Sequence, residues 1–239
     1  MTGSNHLYNQ LERFDWYYMQ RKWEYDFSIN DLKGCQKVLE IGCGSGNFVK
    51  YARIKHSLNV EGIEINHSAV KKARDRGLPV RNLDLEDAAK KFAGKYEAVC
   101  SFQVIEHVSN PKDFLKWSCM LLKPGGKLIL GIPNADSFLK YQFNILDMPP
   151  HHMTHWDRHV LSFLPDIFPL RLMRLNKEPL AEYHAEEYID AYFSYFNKYR
   201  ITRAIYVSGL RKVLTQFLKY KAVRKYLTGQ SLYACFSHV

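Results

Sequence analysis

Residues Lys37-Val38-Leu39-Glu40-Ile41-Gly42-Cys43-Gly44-Ser45-Gly46-Asn47-Phe48 decide the fold of this chain. An apolar run carrying a carboxylate leads into alternating glycines, and Phe48-Val49-Lys50-Tyr51-Ala52 continues as an amphipathic helix. Strand, glycine turn and helix N-terminus together form a cradle in which backbone approaches a ligand closely, because glycine has no Cβ in the way. Dinucleotide sites usually read G-x-G-x-x-G. Here the glycines fall at 42, 44 and 46 and position 47 is Asn, so that fingerprint fails. Glu40 suits a ligand bearing an ammonium and a sulfonium better than one bearing two phosphates.

Further segments follow in order. Asn59-Val60-Glu61-Gly62-Ile63-Glu64 reads as a second strand, and its terminal acid lies 22 residues past Gly42, where a carboxylate accepts ribose hydroxyls. A solvated strand-end acid is the plainer alternative for Glu64. Leu78 to Leu85 forms a short strand closing on Asp84. Tyr96 to Val108 supplies a fourth strand, and Leu121-Leu122-Lys123-Pro124-Gly125-Gly126-Lys127-Leu128-Ile129-Leu130 a helix end, a turn and a fifth strand. With its E-x-G-x-G-x-G run and these four matches, the chain resembles the class I S-adenosylmethionine (SAM) methyltransferases. Within them it resembles the broad group related to ubiquinone-biosynthesis O-methyltransferases. It implies that Glu40, Gly42, Gly44 and Gly46 hold the methionine end of the cofactor SAM and Glu64 the ribose. Asp84 would receive the adenine amino group, Leu85 would pack on the ring, and Phe102 or Gln103 would line the transfer site.

Length and composition agree. At 239 residues and 28.1 kDa the chain suits one α/β domain with insertions. Short apolar strands alternating with helical segments predict a doubly wound, mostly parallel seven-stranded Rossmann-like sheet, with the last strand antiparallel beside the fifth. Within that single domain, 1–36 forms an N-terminal helical lid, 37–178 the cofactor-binding core, 179–228 a basic aromatic helical insertion and 229–239 the last strand. Pro169 to Leu175 would be the sixth strand. No apolar run approaches the ~20 residues that span a bilayer, and no basic-then-apolar leader opens the chain. Cysteines at 35, 43, 100, 119 and 235 form no C-x-x-C pair, which reads as reduced thiols in a cytoplasmic protein.

The segment Phe14-Asp15-Trp16-Tyr17-Tyr18-Met19-Gln20-Arg21-Lys22 resembles the aromatic helix, often W-W-F-x-x-R-R, that folds over the cofactor in that group. Tyr17 and Arg21 are therefore expected to face substrate, although the same aromatics can pack a helix on the sheet. Transfer to a hydroxyl needs positioning and a proton acceptor. Histidine titrates near neutral pH. It is concentrated in Met148-Pro149-Pro150-His151-His152-Met153-Thr154-His155-Trp156, which leaves the carboxyl end of the fifth strand, where ligands bind in such sheets. Relatives carry a similar P-P-H-H-x-T-x-W segment, often with Arg where this chain has His155. His152 or His151 is expected to act as base, His107 is a further candidate, and His155 and Trp156 would face substrate, Trp156 as a pocket wall. The alternative is that these histidines only brace the Pro-Pro turn. Some relatives hold a divalent ion with E-x-x-E-H; here Gln103 replaces the first acid, so no hard-cation site is expected from Glu106 and His107.

Charge is uneven. From Ala191 to Val239 there is no Asp or Glu, while Lys198, Arg200, Arg203, Arg211, Lys212, Lys219, Lys221, Arg224 and Lys225 carry nearly all of the net +10. Acids at 182, 186, 187 and 190 precede this stretch. Apolar residues recur at helical spacing, so one or two basic amphipathic helices are expected before the last strand. They would cap the substrate or pack on the core, touch an anionic membrane through residues 195–227, or grip RNA, in that order of preference. The expected activity is O-methylation of a small metabolite, sugar or lipid-linked hydroxyl; RNA methylation and a non-catalytic SAM-binding role remain the alternatives.

Overall fold

The protein is described by a computed structural model covering residues 21–196 and 209–239. Seven strands lie in the order β3-β2-β1-β4-β5-β7-β6. They are β1 (Val38–Ile41), β2 (Val60–Glu64), β3 (Val80–Asn82), β4 (Tyr96–Phe102), β5 (Leu122–Pro133), β6 (Leu170–Pro179) and β7 (Thr228–His238). β1 pairs in parallel with β2 and β4, with Glu40 opposite Gly62 on one side and Cys100 on the other. β7 runs antiparallel between β5 and β6, with Ile129 opposite Cys235. The expected topology is present, with β6 longer than its first seven residues suggested.

Alternation across the pleat builds two cores. Val38, Val60, Ala98, Cys100 and Ile129 face the layer made by α1 (Trp23–Asp31), α2 (Asn47–His56) and α3 (His67–Asp75). Leu39, Ile63, Val99, Leu128 and Leu130 face α4 (Leu85–Phe92), α5 (Pro111–Leu121) and α6 (Arg158–Phe163). Burial on both faces explains why these strands read as continuous apolar runs rather than alternating ones. Side chains fix where the helices begin. Asn66 accepts from Ser68 N and Ala69 N to open α3, Asp84 from Asp87 N to open α4, and Asp157 from His159 N and Val160 N to open α6.

The insertion has a core of its own. Leu180, Ala185, Ile189 and Ala191, around α7 (Ala185–Phe196), pack with Phe138 and with Leu218 of α8 (Leu210–Leu218). Two of its cations are paired within it. Arg211 grips Asp190 with two bonds of 2.8 Å, and Arg224 of α9 (Lys221–Arg224) donates to the carbonyls of Leu180, Leu218 and Lys219 and to Glu182. Glu182, Glu186 and Asp190, which precede the basic stretch, are thus among its partners. Tyr17 and most of the expected lid lie outside the described residues, as do residues 197–208. From Trp23 onward the segment is helical, and Tyr25 and Ile29 are buried on the sheet.

Candidate active site

A cavity of about 1590 Å³ opens where β1, β2 and β4 end and β7 begins. It exceeds the ~300–1,000 Å³ of a typical one-ligand pocket, enough for a cofactor and an acceptor together. Among the expected cofactor residues Glu40, Gly42, Gly44, Glu64, Asp84, Leu85, Phe102 and Gln103 line it.

Glu40 is the most informative of them. It is 3% exposed, its Oε2 has no hydrogen-bond partner among the described residues, and burial pushes its carboxyl up to about 8. An uncompensated buried carboxylate is costly, so the site is built for a cation to arrive. This is the feature a SAM ammonium group would satisfy, and the donor set fits that group.

Gly42 and Gly44 line the cavity, and two of the three glycines also answer to packing. A Cβ on Gly42 would lie 2.6 Å from Val104, and one on Gly46 2.8 Å from Leu78. With φ of +67° and +79°, both positions answer to close protein packing in left-handed backbone, and Gly46 is not among the lining residues. Gly44 N donates to Glu64 Oε2 at 2.9 Å, and Asn66 N to Glu64 Oε1 at 2.8 Å. These two bonds fix the carboxylate at the β2 tip and leave further lone pairs for ribose hydroxyls. Asp84 caps α4 with one oxygen, at 2.8 Å. Phe102 is buried against Tyr25 and Phe48, its ring centroid 4.7 Å from that of Phe48. Gln103 takes a left-handed φ of +58° and gives its amide to Glu24 at 3.1 Å.

Two loops meet opposite the cradle. The turn Ile105–His107 after β4 carries His107, and the Pro149-Pro150 loop after β5 carries His151 and His152. His107 Nδ1 donates to His151 O at 2.8 Å, and His152 Nδ1 lies 2.7 Å from Asp147 Oδ1. Backbone amides of Met153 and Thr154 bond Glu106 O and tie the loops together. Burial lowers His107 and His151 to about 4, and raises Glu106 to about 8. The Glu106–His107 contact at 3.7 Å is therefore between neutral groups at pH 7, not an ion pair.

The substrate expectations divide. Arg21 lines the cavity mouth, held by Asp26 at 2.8 Å. Trp156 is not a wall of this cavity: it is 5% exposed, packs in the core and donates Nε1 to Thr154 Oγ1 at 2.9 Å. His155 points outward onto Asp147 O, at 2.7 Å. His155 shares Asp147 with His152, whereas Trp156 turns into the core. Sequence reading missed Glu24, Asp147 and Glu178. Glu24 is 2% exposed; Glu178 accepts from Gln230 N and Ser231 N at 3.1 Å, and burial followed by the charge of Glu24 raises it to about 7. No local motif marks these three.

Residues 14–197 match a family model described as a methyltransferase domain. The ubiquinone biosynthesis O-methyltransferase of Xanthomonas oryzae pv. oryzae is 34% identical over 44% of this chain and 45% of its own length. The mitochondrial enzyme of that name from Dictyostelium discoideum is 28% identical over 52% and 44%. The chain thus spans about half the length of these curated relatives. A SAM-dependent methyltransferase from Archaeoglobus fulgidus superposes with a TM-score of 0.59 at 17% identity, covering 90% of this chain and 94% of that one. A geranyl diphosphate C-methyltransferase from Streptomyces coelicolor A3(2), solved with Mg2+, geranyl diphosphate and S-adenosyl-L-homocysteine, gives 0.56 at 16%, over 90% and 77%.

Proposed function

The chain belongs to the methyltransferase domain family, SAM-dependent enzymes, and on that premise we propose that it methylates a hydroxyl oxygen of a small metabolite, sugar or lipid-linked acceptor. The single observation that carries the reading is the buried Glu40 oxygen without a partner, in the same cavity as the histidine cluster. When bound, the cofactor supplies an electrophilic sulfonium methyl.

The chain's residues hold, orient and deprotonate. Glu40 gives up its proton when a cationic ligand enters, Glu64 takes the ribose, and Asp84 with Leu85 takes the adenine. Phe102 and Tyr25 keep water from the sheet side of the cradle. His152, oriented by Asp147, stands as the proton acceptor for the hydroxyl. His107 and His151, neutral at pH 7 on the directions above, leave its proton-accepting role unopposed by a fixed positive charge.

The wall favours a neutral or cationic acceptor. Beside the neutral Glu40 and Glu106 the lining carries Glu24 and Asp147, and one of its cations, Arg21, is already held by Asp26, which disfavours phosphate, RNA included, at the reacting end. Membrane contact through residues 195–227 is the second reading. It is supported by Val213, Phe217, Tyr220 and Tyr226, exposed at 49, 57, 65 and 79% and interleaved with Lys212, Lys219, Lys221 and Lys225. Incubation with methyl-labelled SAM and extracts separated into lipid, small-molecule and RNA fractions tests the assignment. Label in RNA, or in no fraction, overturns it.

A further inference from the structure

Beyond the cradle, the cavity wall carries two buried carboxyls on elements remote in sequence, Glu24 of α1 and Glu178 of β6. They are 2 and 8% exposed. Each is seated over a glycine. A Cβ on Gly131 of β5 would lie 2.9 Å from Glu24 Cγ, and one on Gly229 of β7 would lie 3.0 Å from Glu178 Cγ. The sheet thus leaves room at two positions where any larger residue would push a carboxyl aside. The Gly131 Cβ would also meet the Phe102 ring at 2.8 Å, so Glu24 stands beside a residue that lines the cradle.

The hydrogen bonds of the two acids are one-sided. Gln103 Nε2 donates to Glu24 Oε1 at 3.1 Å, while Glu24 Oε2 has no hydrogen-bond partner among the described residues. The amides of Gln230 and Ser231 both donate to Glu178 Oε2 at 3.1 Å. A carboxylate has about four lone-pair sites, so both groups keep accepting capacity toward the cavity. Glu187 lines the same cavity, but His184 holds it at 2.9 Å and it is not part of this pair.

Charge at this wall is uncompensated. Among the described residues no Lys or Arg forms an ion pair with Glu24 or Glu178. Of the two lining cations, Arg21 is held by Asp26, and the Lys22 charge falls on Glu40 and Glu106, where burial outweighs it. Burial, then the charge of Glu24, pushes Glu178 up to about 7. Two buried acids that repel each other are relieved by a cation entering between them.

We propose that Glu24 and Glu178 bind a protonated amine of the methyl acceptor, which is therefore an amino alcohol or an amino sugar with its reacting hydroxyl toward His152. The proposal rests on the methyl-transfer reading and names the substrate class of that site. An ammonium group brings three N–H donors, and its hydrogen bonds to carboxylates are the strong, charge-assisted kind. A phosphate or carboxylate in the same position would face both acids without a cation to meet it.

The test uses the full chain, with and without saturating S-adenosylhomocysteine, and three probes on one two-carbon frame: ethanolamine, ethylene glycol and glycolate. Titrations at pH 7 followed by saturation-transfer NMR should rank ethanolamine at least about tenfold tighter than ethylene glycol, with glycolate weakest. Glu24→Gln and Glu178→Gln keep a side-chain carbonyl for the donors now bound to each acid. Each should weaken ethanolamine about tenfold or more and change ethylene glycol by less than about twofold. Melting curves and S-adenosylhomocysteine calorimetry on the same variants report whether fold and cradle survive. Should one variant fail to fold, the other decides, and should both fail, the wild-type ranking decides. Equal binding of ethanolamine and ethylene glycol, tighter binding of glycolate, or ethanolamine binding indifferent to both substitutions overturns the amine site. Failure of S-adenosylhomocysteine to bind the wild type refutes the methyl-transfer reading instead, and the probe series without it still reports on the two acids.

Discussion

Glu40 concentrates the chemistry of the site in one side chain. Its folded pKa of about 8 lies above the ordinary carboxylate value, so between about pH 4.5 and 8 the folded state holds a proton that the unfolded state has lost. Stability without ligand therefore falls as pH rises through that window, by about 1.4 kcal/mol per pH unit from this group, and levels off above it. Glu40→Gln should flatten that fall in urea melts across the range and lower cofactor affinity at least about tenfold. Unchanged pH dependence would show that the burial has another compensation. At the opposite wall, Asp147→Asn should reduce kcat more than KM, because it disturbs the group that receives the acceptor rather than the cradle. A pure KM effect would remove Asp147 and His152 from the chemistry.

Element termini carry several of the functional residues, and their structural and ligand roles can be separated. Asp84 caps α4 and faces the cavity at once. Asp84→Ala should cost about 1 kcal/mol of stability, while Asp84→Asn, an equally good cap, should keep it. Both should weaken the cofactor if Asp84 meets the adenine, and equal affinity in all three proteins would confine the residue to capping. In the insertion, Arg224 is 11% exposed at its side chain and gathers three carbonyls from two segments. Arg224→Ala should cost about 2 kcal/mol and speed amide exchange in α8 and α9 without changing exchange in β1 or β4. Uniform acceleration would mean that the insertion and the sheet unfold together.

At the scale of the whole molecule, the doubly wound sheet was legible because continuous apolar strands, glycine turns and helical periods are local signals. Val38 to Ile41 and Tyr96 to Phe102 reveal burial on both faces by composition alone. The cradle was legible for the same reason, as one uninterrupted strand-turn-helix. Trp156 was misassigned because the side on which a loop residue falls depends on the turn before it. Glu24 and Glu178 were invisible because they enter the cavity from α1 and β6, far from it in sequence. The basic stretch was legible as helices, whereas Arg211 and Arg224 became structural only once folding brought Asp190 and Glu182 to them.

The central claim is that the cavity at the strand ends holds a buried carboxylate that meets the ammonium group of a nucleoside ligand. Calorimetric titration of S-adenosylhomocysteine at pH 7, in two buffers of different ionisation enthalpy, tests it most directly. The account predicts one site per chain, with release of about one proton in the wild type and almost none in Glu40→Gln. No binding, or identical proton release in both proteins, would contradict it.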